Sequence, residues 1–214
     1  MDEEITIIDS NARNERIKNF FIDNKKKLIS TVSIILVIII GYLSFEKSKE
    51  RTKIKLANKY NLALIDLNPD NKQKTIDEMV NVVKSNDATY SPLALYHLLD
   101  NNLLENNEEI NMLFNELIEE TKLDNEIKNL IIYKKALFNS DFASENELLK
   151  ILNPVINSES IWKSHSLYLL AEFFYSKNEK QKAKEFFNQI IVLPNANSTI
   201  KTESQKRLNR DLGE

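Results

Sequence analysis

The chain has 214 residues, a formal net charge of −3, 42% hydrophobic residues and 29% charged ones. That is room for one ordinary domain with a buried core plus an appendage. Only 2 Gly and 4 Pro argue against a turn-rich β-protein and a Gly-rich phosphate loop, and the mildly acidic balance lacks the basic face of a nucleic-acid binder. Without any Cys there is no disulfide framework, thiolate metal site or Cys nucleophile, a lack that fits any compartment.

Residues 1–27 form a charged tail with six basic and six acidic side chains. Ile17, Phe20 and Phe21 fall on one helical face beside Arg16 and Lys18, the pattern of a short interfacial helix; a disordered tail running on into the next segment is the other reading. Residues 28–45 read LISTVSIILVIIIGYLSF, with no charge. As a helix they span roughly 27 Å, close to the hydrocarbon core of a bilayer. Lys25, Lys26 and Lys27 before them, and Lys47 and Lys49 after, reach the headgroups on long stems. The segment reads as an uncleaved transmembrane anchor. A buried core helix and a cleaved secretory signal also compete, although no small-x-small cleavage site follows.

The flanking charges nearly balance. Arg13, Arg16, Lys18 and the Lys triplet stand before the span, against Lys47, Lys49, Arg51, Lys53, Lys55 and Lys59 after it. Long domains translocate largely regardless of charge, and the triplet abuts the short side, so the N-terminus is placed in the cytoplasm.

Residues 46–214 read as helical throughout. A first helix over 47–67 carries Leu56, Tyr60, Ala63, Leu64 and Leu67 on one face and is stopped by Asn68-Pro69-Asp70-Asn71. A second carries Ile76, Met79, Val80 and Val83 and ends at Ser85-Asn86-Asp87. Further helices are expected near 91–104, 108–120, 125–140, 145–156, 160–176, 179–192 and 198–211. A shift of 35 residues superimposes the last two hairpins: Tyr168 falls on Tyr133, Ala171 on Ala136 and Phe173 on Phe138. In the second helix Ala183 falls on Leu148, Phe186 on Ile151, Phe187 on Leu152 and Ile191 on Ile156. Such a period marks stacked helical hairpins, in which about three or more units share a core that one alone cannot close. Roughly four units fit, capped by the polar helix that ends at Asp211. A generic helical bundle with chance periodicity is the alternative.

Two histidines, His97 and His165, lie in different hairpins without metal-ligand spacing. The pairs Glu108-Glu109 and Glu119-Glu120 suit helix starts and solvated faces. No nucleophile or phosphate-loop motif occurs, so the chain is read as no enzyme, with no catalytic residue, metal or cofactor.

The hairpin over 160–193 resembles the tetratricopeptide repeat: Leu170, Ala171, Phe174, Ala183, Phe187 and Pro194 stand at or beside that family's small, aromatic and proline positions. The fold class is therefore expected to be all-α, an N-terminal transmembrane helix followed by a tetratricopeptide-like α-solenoid. The repeat is clear at the C-terminal end and degenerate toward the membrane, where Asn101 and Asn111 replace expected apolar residues. In such arrays the first helices line a concave surface. The resemblance thus implies a protein-binding groove at His165, Tyr168, Glu172 and Tyr175, with Tyr133 and Tyr96 in line; packing of these rings between hairpins is the competing reading.

Tail, anchor, linking helix and degenerate repeats together resemble the ancillary subunit of the bacterial SecYEG translocon, whose domain family is shared with a cell-division coordinator. That resemblance implies an inner-membrane protein with its repeats in the periplasm. Its partners would be translocon subunits, periplasmic chaperones or exported chains. A second expectation is an oligomerising envelope-assembly or division factor paired through helix 47–67. Oligomeric state stays open.

Overall fold

The computed structural model describes residues 13, 15, 16, 18–67 and 71–213. Ile17 of the expected interfacial face and residues 68–70 of the expected helix stop lie outside the described residues. Every regular element among the described residues is an α-helix, and none is a strand. In chain order they are α1 (Lys25–Ile65), α2 (Lys72–Val83), α3 (Tyr90–Asp100), α4 (Asn107–Glu119), α5 (Asn125–Asn139), α6 (Glu145–Ile156), α7 (Lys163–Ser176), α8 (Lys180–Val192) and α9 (Ser198–Asp211). Residues 18–23 form further helical turns before α1. The chain divides into two compact units, Met1–Lys55 and Leu56–Glu214.

The anchor and the first expected helix are one element. Nothing between Phe45 and Leu56 breaks a helix: the stretch EKSKERTKIK lacks Gly and Pro, and straight-chain Lys, Glu and Arg are good helix formers. Within the first unit the apolar part of α1 is long and apolar enough to cross a membrane, and none of it is buried. An unshielded run of Ile, Leu and Val does not behave as a core helix of this chain. Its length and composition are compatible with a single-pass membrane protein.

In the second unit, each helix from α2 onward packs on its successor, and α7 also packs on α5 and α9, and α2 on α4. The spacing is regular. From the start of α2 to that of α3 is 18 residues, and the same 18 separate α4 from α5, α6 from α7 and α8 from α9. Burial follows the 35-residue shift: Leu148 and Ala183, Leu152 and Phe187, Val155 and Ile190, and Ala136 and Ala171 are all fully buried. The ends of α5–α6 and α7–α8 therefore place equivalent side chains in equivalent surroundings.

Local chemistry accounts for the helix ends. Asn106 accepts from the N–H groups of Glu108 (2.8 Å) and Glu109 (3.3 Å) at the start of α4, and Asn197 does the same for α9. Ser144 and Glu147 form a reciprocal capping box on α6, and the two hydrogen bonds from Ser144 hold the Glu147 carboxyl below its ordinary range. At the other ends the chain uses Asn where Gly is usual. Asn86, Asn102 and Asn178 have φ of 55°, 49° and 62°, a left-handed conformation that Asn tolerates better than other side chains. After α3, Leu103 N–H donates to Leu98 C=O at 2.9 Å, and after α7, Glu179 N–H donates to Phe174 C=O at 2.9 Å. This turn ends α3 at Asp100, four residues before the expected boundary of 104.

Two core clusters result. One gathers Ala63, Met79, Leu95, Leu98, Phe114, Leu117 and Ile131; the other gathers Ala136, Leu148, Leu170, Phe174, Phe187 and Ile190. Helix α5 contributes Ile131 to the first and Ala136 to the second.

Candidate functional site

The six residues expected to line a groove fall into three separate clusters, each joining alternate helices of the second unit. Between α3 and α5, Tyr96 lies under the Lys134 ammonium, 4.8 Å from the ring centroid. Burial pushes the Tyr96 hydroxyl up to about 12. Between α5 and α7, Tyr133 stacks on Trp162 at 5.9 Å and 18°, and meets the edge of His165 at 6.0 Å. Burial lowers the pKa of His165, against a smaller opposing hydrogen bond at Ile161, so the ring is held neutral more firmly than a free imidazole.

Between α7 and α9 stands the most polar cluster. Arg207 of α9 donates to both carboxylate oxygens of Glu172, each at 2.7 Å, and its guanidinium lies 4.2 Å from the centre of the Tyr175 ring. Its remaining nitrogen pairs with Asp211. Tyr168 leans its edge on Phe187 at 5.5 Å; burial first, then the Glu172 charge, pushes its hydroxyl up to about 12. Helix α9 thus occupies the side chains of Glu172 and Tyr175. Arg207 was not singled out by the sequence, yet it follows Glu172 by 35 residues, one repeat period, and that spacing is the signal that could have found it.

The Glu172–Arg207 fork has an expected worth. The Arg207 side chain is only 15% exposed and that of Glu172 35%, so solvent screening trims a charge-assisted pair to about 1 kcal/mol. Arg207→Met keeps the apolar stem and removes the fork. It is expected to raise amide exchange in α9 about fivefold relative to α7, as read by hydrogen-exchange mass spectrometry. Unchanged exchange in α9 would show that apolar packing alone holds the helix.

A cleft of about 780 Å³ between α4, α5 and α6 is the feature that sequence reasoning missed. Its polar lining includes a reciprocal amide pair. Asn139 donates to Asn111 at 2.8 Å, and Asn111 donates back at 3.0 Å. Beside them Lys135 donates to Asn115 Oδ1 at 2.6 Å. Burial lowers the pKa of Lys135, which Glu119 opposes and Lys150 reinforces. Met112, 62% exposed, and Phe142, 49% exposed, add apolar surface to the same cleft. The signal was there in part: Asn111 stood where an apolar residue was expected, and Asn139 falls 35 residues before the fully buried Phe174. Two amides that satisfy each other replace the ring that closes the following hairpin.

Among the described residues no group of three or more His, Cys, Asp or Glu side chains converges to hold a metal ion. His97 belongs to α3, where its Nδ1 lies 3.2 Å from the Asn101 amide, and His165 to α7. Comparison of the chain with protein-family models, with curated proteins and with solved structures finds no match in any of the three.

Proposed function

We propose that this chain is a single-pass membrane protein whose helical unit is a degenerate tetratricopeptide-like solenoid acting as a non-catalytic protein-binding scaffold. The observation that carries the reading is the burial pattern of α5–α6 and α7–α8, which repeats at the 35-residue shift down to single small residues such as Ala136 and Ala171. Small side chains at those places let two helices cross closely, and stacked hairpins leave extended side surfaces free for other chains. We place the protein in the bacterial inner membrane with its tail in the cytoplasm and its repeats in the periplasm. By resemblance to the ancillary translocon subunit, its partners are translocon subunits, periplasmic chaperones and exported chains. Anchoring beside the bilayer raises the effective concentration of weakly bound partners.

The cleft of α4, α5 and α6 is the surface best suited to such a partner. Its amides and Lys135 offer donors and acceptors to a polypeptide backbone, and Met112 and Phe142 offer apolar area to its side chains. A photo-crosslinking residue at Met112 or Phe142 is expected to capture polypeptide in native membranes, whereas one at Val192, 77% exposed on α8, captures only background. Affinity capture through a C-terminal tag then names the partner. Equal capture from all three positions would sink the cleft as the binding surface.

The second reading, an oligomerising assembly factor, draws on one observation. Leu62 and Ile65 of α1 are 57% and 79% exposed and, three residues apart, share a helical face. Size analysis in detergent separates the two readings, because the scaffold works as a monomer.

A further inference from the structure

At the start of the apolar part of α1, within the first unit, an open surface groove of about 470 Å³ is lined by Lys18, Phe21, Ile22, Lys25, Leu28 and Ile29. The six recur at steps of three and four, so they share one helical face. Along it two ammonium groups alternate with two apolar pairs. At Asn24 the helical pattern gives way to a single turn residue, whose backbone and side-chain N–H groups both donate to Phe20 C=O at 3.0 Å.

We infer that this face binds an anionic phospholipid. The inference rests on the reading of α1 as a membrane span. Leu28 and Ile29 open that span, so they lie at the top of the hydrocarbon layer. Lys25 stands one turn before them, at the level of the phosphates, and Lys18 about 10 Å further out along a helix. A lipid phosphodiester meets the two ammonium groups, and the upper part of its acyl chain meets Leu28 and Ile29. Phe21 and Ile22, 57% and 60% exposed, sit between the two lysines and line the groove on the headgroup side of the phosphate.

Charge decides which lipid is held. Residues 13–27 carry six basic side chains against two acidic ones, and among the described residues neither Lys18 nor Lys25 makes an ion pair. A zwitterionic headgroup brings its own cation to this face and is repelled; a headgroup with net negative charge is not. On the other side of the span Lys47, Lys49, Arg51 and Lys53 stand among Glu46 and Glu50, which offset half of their charge. The inference therefore assigns the lipid to one end of the helix.

The test uses the full-length protein reconstituted in vesicles of equal parts phosphatidylcholine and phosphatidylglycerol, extracted gently and weighed with its adducts by native mass spectrometry. The native chain is expected to keep phosphatidylglycerol in preference to phosphatidylcholine. Lys18→Gln with Lys25→Gln lowers the retained phosphatidylglycerol about tenfold, and Phe21→Ala with Ile22→Ala lowers it as well. Lys47→Gln with Lys49→Gln keeps it. Equal retention of the two lipids, or an equal loss in the Lys47 and Lys49 variant, overturns the site. An alkaline carbonate wash of the same vesicles separates the two failures. Protein that stays in the pellet without lipid preference leaves the anchor standing and removes the site; protein released by the wash removes both.

Discussion

Aspartate at Ile35 and Ile39 together is expected to move the full-length chain from the carbonate-resistant membrane fraction to the soluble or aggregated one, while either substitution alone gives a partial shift. The segment 28–45 contains twelve Ile, Leu, Val and Phe residues. At the centre of a membrane helix each contributes about −0.3 to −0.6 kcal/mol to insertion, and an aspartate costs about 2.5–3.5 kcal/mol. One charge therefore leaves insertion near balance, and two reverse it. Ile35 and Ile39 lie one turn apart near the middle of the 28–45 span, so neither short aspartate side chain reaches the headgroups. Ile35 and Ile39 are 50% and 47% exposed in α1, so the substitutions disturb no packed core, and a change in fractionation reports on lipid alone. A double variant that still floats with the membranes in a density gradient after the wash would remove the membrane assignment.

Phe187→Ala is expected to cost 3–5 kcal/mol, a large part of the stability of an ordinary domain. The Phe187 ring is fully buried in the cluster that joins α6, α7 and α8, against the edge of Tyr168. Its neighbours Ala171 and Ala183 are already small, so they cannot swing in to fill the space. Urea unfolding of the detergent-solubilised full chain, followed by far-UV circular dichroism, measures the loss. Val192→Ala, at a side chain that is 77% exposed, stays within about 0.5 kcal/mol of the native chain. The damage should also be local. The core is two clusters and Phe187 belongs to the second, so amide exchange should rise in α6–α8 more than in α2–α4. A Phe187 variant as stable as the native chain would mean that the second cluster is wrongly drawn.

Much of the helical layout was legible because its causes are local. The apolar spacing over Ile76, Met79 and Val83 marks a buried face in any context that supplies a partner, and the structure buries all three. The starts of α6 and α9 were met to the residue because Ser144 and Asn197 are good caps. The boundary at 104 failed because Asn102 takes the left-handed turn that Gly usually supplies. The span and the helix expected over 47–67 join into one helix, because a change from apolar to charged composition alters what surrounds a helix without ending it.

The candidate surfaces were less legible, since they depend on which faces meet. Tyr168, Glu172 and Tyr175 read as open aromatic and polar positions, and only the seating of α9 shows Arg207 among them. Asn111 read as a defect in a repeat; its meaning depends on Asn139, 28 residues away. An amide at an apolar position is costly when unpaired and tolerable when another amide faces it, and sequence spacing does not reveal the facing partner.

By itself the amino-acid sequence determined that this chain is helical, that it carries one charge-free stretch of membrane length, and part of the inward face of the last two hairpins, with Ala136, Leu148, Leu152, Ala171, Ala183 and Phe187 buried but Ile156 and Ile191 only half-buried beside the buried Val155 and Ile190, because turn propensity, hydrophobic period and segment length act within a few residues. The tertiary structure decided where the core divides, that α9 occupies Glu172 and Tyr175, and that a cleft opens over Lys135 and Asn139. Those features arise from side chains brought together from distant parts of the chain, whose desolvation and pairing are set by neighbours that no local pattern names.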